Sequence, residues 1–425
     1  MAFLFPLKNQ VKQYDWGSPV WIPRLLGLPN PSGEPWAELW MGVHPGGPSE
    51  AAAAGQSLPL PELIARDPRK LLGEKTTAAF GGLPFLFKLL AAEKPLSIQA
   101  HPNKDQARTG WERENLRGIP PDAPARNYRD RNHKPEILCA LSPFTAMCGF
   151  RELPDIRSGL DCFAREAPPE LRKVLDALSR ILEEAPPGED GAASALSRFL
   201  SELFCLSGGE KEALSRYAAA SAADLCRKYP DRREEWETVA YFAALYPGDP
   251  ALLSPLYLNL LHLEAQEALY LPAGVLHAYV RGFGVELMAN SDNVLRGGLT
   301  AKHIDMEELL RVLRFSPFKP RISRPSAGDD YFRYPAECRE FSLTLLRGTG
   351  GSRVFPGIGP GIVVVTQGEA VFSSPGEDET RRLRQGESAF IATREKPGDL
   401  RLSGTFTLYA AGVGRADQEQ AGGLG

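Results

Sequence analysis

Short apolar runs separated by Pro and Gly dominate the first 150 positions of the chain. Segments such as PFLFKLL (residues 84–90) and EILCALSPF (residues 136–144) are bounded by turn residues, which predicts β-strands. A helix is predicted around residues 60–72. From about residue 153 to residue 246, apolar residues recur at helical spacing, as in PELRKVLDALSRILEEA, with Pro or Gly at the boundaries. The pattern therefore predicts a β-rich chain interrupted by a helical insert.

Strand-like patterning returns after the insert, in EALYLPAGVLHAYVRGFGVELM, and continues beyond a Pro-containing linker. QEALYLPA (residues 266–273) resembles GESAFIAT (residues 386–393), and both indicate a turn followed by a barrel strand. The first copy continues to His277, whereas no histidine follows His303. We therefore expect two β-barrels, of which the second is a degenerate copy that holds no catalytic metal.

Length and composition narrow the class of protein. The chain has 425 residues, which allows two or three domains with a sizeable core. A net charge of −4 with 24% charged residues offers no basic surface for nucleic acid or an anionic membrane. No window reaches the roughly 18 apolar residues of a spanning helix, and the first residues lack a signal-peptide pattern. The six cysteines form no CxxC motif, which favours reduced thiols in a cytoplasmic protein.

Two segments bring ligand and acid–base groups to strand ends. Gln99 and His101 stand one residue apart in LSIQAHP, and alternation with period two places both on one face of a strand. In YRDRNHKPEILCAL, His133, Lys134 and Glu136 cluster just before an apolar strand. Lys134 and Glu136 share a face where this segment is extended.

A third segment, YLPAGVLHAYVRG, resembles the second motif of the cupin barrels. Pro272 and Gly274 predict a turn, after which His277 enters a strand with Tyr279 on the same side. Zinc and similar ions prefer imidazole nitrogen and carboxylate oxygen. The three segments together offer such a set: His101, Glu136, His277 and the amide oxygen of Gln99. An isolated QxH pair is more often a hydrogen-bonded interior histidine, so this pair alone does not establish a metal site.

The segment ANSDNVLRGGLTAKHID (residues 289–305) combines glycines with two cations, Arg296 and Lys302. Two cations on a Gly-rich loop suit a phosphate or another oxyanion. An ordinary solvated loop is the alternative interpretation of this segment.

These motifs resemble those of the type I phosphomannose isomerases, in the order of that family. The similar segments are YDWGS, PWAELWMGVHPGGPS, LSIQAHPNK, YRDRNHKPE, LYLPAGVLHAY and SDNVLRGGLTAKHID. They lie within residues 10–150 and 265–305. His101 and Glu136 are 35 residues apart, unlike the compact first motif of ordinary cupins. This spacing favours the isomerase family over a generic cupin oxygenase.

The resemblance implies a role for each matching residue. It implies one zinc ion per chain, with the ligands Gln99, His101, Glu136 and His277. It places Arg296 beside the reacting carbons, and it surrounds the sugar with His133, Lys134, Glu286 and Asp292. The implied phosphate contacts are Ser97, Lys88 and Lys302, and the sugar pocket is further lined by Tyr279, Trp16 and His44.

The implied reaction interconverts mannose 6-phosphate and fructose 6-phosphate through an enediol, a step of carbohydrate metabolism toward GDP-mannose. Lys134, Glu286 or a metal-bound water could move the proton, and His133 or Asp292 could assist ring opening. Glu286 could instead orient Lys134 or Arg296 as an ion-pair partner. Two rival functions are a metal-dependent cupin oxygenase and a non-catalytic sugar-binding cupin.

The resemblance also implies the domain organisation of a mainly β protein with a helical insert. Residues 1–150 with 247–320 would form the catalytic cupin (jelly-roll) barrel, and residues 151–246 an α-helical domain. Residues 321–425 would form the degenerate second cupin barrel. We expect a monomer that binds a small sugar phosphate.

Overall fold

A computed structural model of the chain describes residues 3–53, 55–355, 359–373, 380–393 and 400–414. Of these described residues about 34% are helical and 31% lie in strands, so the fold is mixed rather than mainly β. Within the described ranges the strands form two large antiparallel sheets, and the strand order closes neither of them into a barrel. No helix among these residues is long and apolar enough to cross a membrane.

The first 150 residues supply nine strands and five helices within the described part of the chain. Their bounds are β1 (Leu4–Lys8), β2 (Gln10–Lys12), α1 (Trp21–Leu26), β3 (Glu38–Gly42), β4 (Glu50–Ala53), β5 (Gln56–Pro59), α2 (Leu60–Arg66), α3 (Pro68–Leu72), α4 (Glu74–Phe80), β6 (Phe85–Ala92), β7 (Gln99–Ala100), α5 (Lys104–Leu116), β8 (Glu136–Ala140) and β9 (Phe144–Phe150). The helix expected around residues 60–72 is two helices. It is interrupted at Asp67, because Pro68 starts a new helix and the Asp67 carboxylate accepts from the backbone N–H of Lys70 at 3.1 Å.

The helical run predicted between residues 153 and 246 is present. It comprises α6 (Leu153–Arg165), α7 (Pro169–Glu183), α8 (Glu189–Cys205), α9 (Gly208–Lys228) and α10 (Arg233–Leu245), followed by α11 (Ser254–Tyr257). Short 3-10 turns at Pro230–Arg232 and Pro250–Leu253 join the later helices. Apolar residues of these helices form one core that extends to Ile98, Ala278 and Leu295 of the larger sheet. The insert is therefore packed directly beneath the strands that carry the predicted ligands.

The remaining elements return to strands. They are β10 (Leu258–Leu263), β11 (Ala268–Leu271), β12 (His277–Ala289), β13 (Leu295–Arg296), α12 (Met306–Val312), β14 (Ile322–Ser323), β15 (Tyr331–Arg333), β16 (Ser342–Val354), β17 (Gly361–Ser373), β18 (Arg381–Arg384), β19 (Ser388–Ile391) and β20 (Arg401–Gly412).

Strand β12 is the organising strand of the larger sheet, in which β14, β11, β8, β12, β6, β3 and β2 are consecutive neighbours. Its second half pairs with β6 and β8, and its first residues pair with β7 and β9. This register places Trp40, Lys88 and Glu286 in one row across three strands. Residues that are cross-strand partners in this way have neighbouring side chains on the same face of the sheet.

The smaller sheet has the order β15, β16, β20, β17, β19, β1, β4 and β5, with β18 beside β17. N-terminal strands thus extend the C-terminal sheet, with Leu4 paired to Ile391. The two sheets are joined by one apolar core that includes Phe87 and Val285 of the larger sheet and Val364 and Tyr409 of the smaller. Face-to-face packing of twisted antiparallel sheets buries one side of each. The predicted domain boundaries place β1 with the first barrel, and they stay a prediction.

The two segments that resemble each other in sequence share one turn geometry. Gln266 has φ +75° and Gly386 has φ +83°. The carboxylate of Glu267 accepts from the Glu264 N–H at 2.9 Å, and that of Glu387 accepts from the Arg384 N–H at 2.7 Å. In both copies a strand follows the turn, at β11 and at β19. The predicted turn followed by a strand is therefore present twice.

Candidate metal centre and anion-binding cavity

Three predicted ligands meet in the interior of the larger sheet. His101, Glu136 and His277 are buried and bring one ligand atom each within 4.8 Å of the others. The Nε2 atoms of both histidines lie 3.4 Å from the Glu136 carboxylate, His101 at Oε1 and His277 at Oε2. Each of the three comes from a different strand or strand end: β7, β8 and β12. Chain segments far apart in sequence thus converge on one point.

Hydrogen bonds on the opposite ring nitrogens determine which imidazole nitrogen is free. His101 Nδ1 lies 2.8 Å from the Asn293 carbonyl, and His277 Nδ1 lies 3.0 Å from the Val275 carbonyl. A carbonyl can only accept, so each Nδ1 carries a proton, and in the neutral form of the ring Nε2 presents a lone pair. His101 Nε2 is buried and has no hydrogen-bond partner. Two lone pairs facing a carboxylate repel one another unless a cation lies between them, so the donor set fits a divalent metal.

The ionisation states of His101 and Glu136 also suit metal ligands. Burial, followed by the neighbouring Lys134, lowers the pKa of His101 to about 4, which keeps its imidazole neutral. Burial acts against ionisation of Glu136, yet Lys134 and His101 hold its pKa well below the usual value. Lys134 Nζ lies 3.0 Å from Glu136 Oε1. The predicted sharing of a face by Lys134 and Glu136 is therefore observed as a direct contact.

Gln99 lies beside this cluster. Its Cα pairs with that of His277 on one side and with that of Arg296 on the other, so the three residues form a row across β12, β7 and β13. Gln99 Nε2 donates to the Ser97 hydroxyl at 3.3 Å. The amide oxygen is not used in that bond and is available as a ligand.

The cluster opens into a cavity of about 460 Å³, a volume within the range of roughly 300–1,000 Å³ that is usual for small-molecule sites. Twelve of the fifteen predicted site residues line it: Trp16, Lys88, Ser97, Gln99, Lys134, Glu136, His277, Tyr279, Glu286, Asp292, Arg296 and Lys302. His101 belongs to the cluster of candidate metal ligands but does not itself line the cavity. His44 and His133 are also not part of the lining.

One wall of the cavity holds a buried lysine between two carboxylates. Lys88 Nζ lies 2.9 Å from Glu286 Oε2 and 3.4 Å from Glu38 Oε1, and Glu38 also accepts from the Trp40 indole N–H at 2.7 Å. Burial opposes the charge on Lys88, but Glu286 and Glu38 raise its pKa above the usual value. The ion-pair partner of Glu286 is thus Lys88, whereas the sequence suggested Lys134 or Arg296. The predicted phosphate contact of Lys88 stays a prediction.

Replacing Lys88 by Met should lower the free energy of unfolding by about 3–5 kcal/mol, because Glu38 and Glu286 would be buried without their shared cation. Urea denaturation of the metal-free protein measures this change. Lys75→Met on the exposed face of α4 is the matched control and should change stability by less than about 0.5 kcal/mol. A Lys88→Met protein as stable as the control would show that the two carboxylates do not need this lysine.

Two cations of the cavity lining, Arg296 and Lys302, have no ion-pair partner among the described residues. In the described part of the chain, the side chains of Arg296 and Lys302 form no hydrogen bond or ion pair. Burial, followed by Arg129, lowers the pKa of Arg296, and burial, followed by Arg296 and Arg129, lowers that of Lys302. Arg129 was not predicted from the sequence. Arg296 and Lys302 repel each other and form no ion pair among the described residues, which favours binding of an external anion.

Asp292 lines the cavity, and a hydrogen bond from His44 stabilises its negative charge. His44 Nε2 lies 3.3 Å from Asp292 Oδ1, and His44 Nδ1 accepts from the Gly46 N–H at 3.1 Å, so Nε2 carries the proton. This hydrogen bond lowers the pKa of Asp292. His133 instead points toward the C-terminal part of the chain, where its Nε2 lies 2.8 Å from Glu340 Oε1. The predicted sugar contact of His133 stays a prediction.

The end of the helical insert and the turn that follows it make contacts that the sequence did not indicate. Asp249 accepts from the Leu299 N–H at 2.6 Å and holds Leu299 at φ +54°, a rare conformation for a residue other than Gly. Tyr246, which lines the cavity, donates to the Pro95 carbonyl at 3.1 Å. Tyr246 at the end of the insert thus fixes one edge of the cavity, and Asp249 just after it anchors the loop that carries Lys302. The motif pattern carried no signal for this role.

Fold and site together define a class: a protein that can hold a divalent metal on a β-sheet scaffold beside an anion-binding cavity. Comparison with known proteins narrows this class. The family model for the catalytic domain of type I phosphomannose isomerase matches residues 4–153. The mannose-6-phosphate isomerase of Escherichia coli is 39% identical over 402 residues, which cover 92% of this chain and 95% of that protein. The human enzyme of the same name is 33% identical over 417 residues, which cover 92% and 94% of the two chains.

A solved structure agrees with these sequence matches. A zinc-bound crystal structure of mannose 6-phosphate isomerase superposes with a TM-score of 0.86 at 37% identity, covering 97% of this chain and 100% of that chain. The chain belongs to the type I phosphomannose isomerase family. Family membership confirms the resemblance that was drawn from the order of the motifs.

Proposed function

We propose that this protein is a zinc-dependent mannose-6-phosphate isomerase. The observation that carries the proposal is the buried His101–Glu136–His277 cluster, which opens into a cavity that is also lined by the cations Arg296 and Lys302. A coupled assay that detects fructose 6-phosphate from mannose 6-phosphate, together with metal analysis, tests it. Product formation with one zinc per chain supports the proposal. Binding of sugar without turnover would favour the non-catalytic cupin, and oxygen consumption would favour the oxygenase.

The metal ligands in this proposal are His101, Glu136, His277 and Gln99. Bound zinc would supply a Lewis acid beside the carbonyl and hydroxyl oxygens of the sugar. The chain supplies the donor orientation, since both Nδ1 atoms are fixed by backbone carbonyls. Lys134 holds Glu136 ionised and restrains its carboxylate from one side.

Arg296 and Lys302 are assigned to different parts of the substrate. Arg296 is aligned with Gln99 and His277, so it lies at the end of the cavity where the reacting carbons C1 and C2 would be bound. Its guanidinium stabilises the negative charge that develops on the sugar oxygens when the C2 proton leaves. Lys302 lies six residues further along the same loop and takes the phosphate, together with Ser97 of the lining.

Proton transfer is assigned to groups that face the cavity. The C2 proton must leave and a proton must return at C1, so one group has to accept a proton and then donate one near neutral pH. Lys134 and Glu286 both line the cavity, and burial raises the pKa of Glu286 despite the opposing effect of Lys88. Asp292, ionised by its hydrogen bond from His44, is the base for ring opening.

Replacing Lys302 by Ala should mainly raise KM for mannose 6-phosphate, because the phosphate charge is the same in the ground state and the transition state. The expected loss is that of a charge-assisted hydrogen bond, about 1.5–3 kcal/mol, or roughly 10- to 150-fold in KM. Turnover of free mannose should change little, so the ratio of kcat/KM for mannose 6-phosphate to kcat/KM for free mannose should decrease.

Steady-state kinetics with both sugars measure the effect of Lys302→Ala, and Lys75→Ala on the exposed face of α4 is the matched control. An unchanged KM for mannose 6-phosphate, or an equal loss with free mannose, would show that Lys302 does not bind the phosphate.

We further infer the division of the chain into structural units, the cellular compartment and the oligomeric state. The duplicated turn at Gln266 and Gly386 supports two related β units, which we assign to two cupin-like units: residues 1–150 with 247–320, and residues 321–425, with β1, β4 and β5 of the first range extending the sheet of the second unit. All six cysteines are unpaired, which supports a reducing compartment such as the cytoplasm. The complete cavity within one chain supports a monomeric enzyme, and analytical ultracentrifugation tests this.

A further inference from the structure

A buried amide connects the three segments that form the proposed site. Asn293 is fully buried, and it lies on the loop between Asp292, which faces the cavity, and Arg296. Its own side chain does not line the cavity and is not among the metal ligands. Its sequence context, SDNVLRGG, gave no reason to single it out from its polar neighbours.

The backbone carbonyl of Asn293 fixes one metal ligand. It accepts from His101 Nδ1 at 2.8 Å, which leaves His101 Nε2 unprotonated and directed at Glu136. The hydrogen bond on the far nitrogen of a ligating histidine sets the orientation of the ring and its basicity. The position of the Asn293 backbone therefore determines where this lone pair points.

The side chain of Asn293 binds a second segment. Its Oδ1 accepts from the N–H groups of Arg129 at 2.7 Å and Asp130 at 3.1 Å. Its Nδ2 donates to the carbonyls of Asp130 at 2.9 Å and Asn132 at 2.8 Å, and it also lies 3.3 Å from Asp130 Oδ1. The oxygen accepts two bonds and the nitrogen donates two, so the hydrogen-bonding capacity of the amide is fully used. The segment held in this way leads directly into Lys134 and Glu136.

We propose that Asn293 is a positioning residue that couples the metal ligands to the substrate loop. It fixes His101 through its carbonyl and the approach to Glu136 through its amide, and its own loop carries Asp292 and Arg296. This inference rests on the proposed metal site. A loss of the amide should therefore weaken metal binding as well as catalysis, although Asn293 touches neither metal nor sugar.

Asn293→Asp is the sharpest test, because it keeps the shape but replaces two N–H donors by an acceptor that faces two carbonyls and the Asp130 carboxylate. Asn30→Asp is the matched control: Asn30 Nδ2 also donates to two carbonyls, of Pro19 and Glu34, and its Oδ1 also accepts a backbone N–H. Asn30 has no bond to the site. Asn293→Ala removes the amide without adding a charge and serves as a second variant.

The primary measurement is the dissociation constant for Zn²⁺, obtained by competition with a chelating indicator on metal-free protein that circular dichroism shows to be folded. We expect Asn293→Asp and Asn293→Ala to raise it about 10- to 100-fold and Asn30→Asp to leave it within about twofold. The kcat of the zinc-saturated Asn293 variants should also fall.

The outcomes separate the inference from the proposed function. If the parent protein binds no Zn²⁺, the proposed metal site itself is wrong. If the parent binds Zn²⁺ and the folded Asn293 variants bind it as tightly, the coupling is refuted. A lower thermal midpoint of the metal-free variants with an unchanged zinc constant would identify Asn293 as a residue of general stability only.

Discussion

Removing the metal with a chelator should abolish isomerase activity and leave the fold largely intact. The three clustered ligands lie in β8, in β12 and just after β7; β12 is hydrogen-bonded to both β7 and β8, and apolar cores support the sheet on both sides. An open catalytic site contributes little to such a scaffold, unlike a structural zinc site. Activity is measured with the coupled assay, and far-ultraviolet circular dichroism reports on the fold.

Zinc titration into the stripped protein should restore activity and reach a plateau at one equivalent per chain. The control is a sample that has been stripped and reloaded, which should regain the original turnover. Full activity in exhaustively demetallated protein would refute the metal assignment. Unfolding on chelation would mean that the ion is structural and that the ligand geometry depends on it.

Replacing Arg296 by Ala should lower kcat by about 100- to 1,000-fold, with a smaller change in KM. The guanidinium is proposed to act on charge that appears only as the enediol forms, and removal of one such donor costs about 2.7–4 kcal/mol of transition-state stabilisation. Steady-state kinetics with mannose 6-phosphate give both constants. This pattern is the reverse of that expected for Lys302, although both residues lie on one loop.

Arg281→Ala is the control for Arg296, because Arg281 lies on the same sheet, in β12, but is exposed and paired with Glu93. It should leave both constants almost unchanged. If Arg296→Ala raised only KM, and Lys302→Ala lowered kcat, the two roles would have to be exchanged. Equal losses in both variants would indicate that the loop moved as a whole.

Much of the candidate site could be predicted from the sequence because its residue types lie in short motifs. His277 follows a turn that needs Gly274, which has φ +78° and would place a Cβ 2.9 Å from the Val312 carbonyl. The pairing of Lys134 with Glu136 needs only the period of a strand. These are local features, so they can be read without knowledge of the fold.

Partners that are distant in sequence could not be predicted. Lys88 and Glu286 are 198 positions apart, and His101 and Asn293 are 192 positions apart. Nothing in the local pattern around Lys88 indicates that two carboxylates will neutralise it. Likewise, the proximity of His133 to Glu340 depends on how the C-terminal sheet packs against the first, and a motif cannot specify that arrangement.

The sequence by itself determined the family, the helical insert, the metal-ligand types and the turn that precedes His277. It did so because periodicity, turn chemistry and motif order are properties of short segments. Only the tertiary structure decided that β1 joins the C-terminal sheet, that Lys88 faces Glu38 and Glu286, and that Asn293 links His101 to the Arg129–Asn132 backbone. Strand register and sheet packing determine these partners, because contacts between distant segments depend on which strands become neighbours.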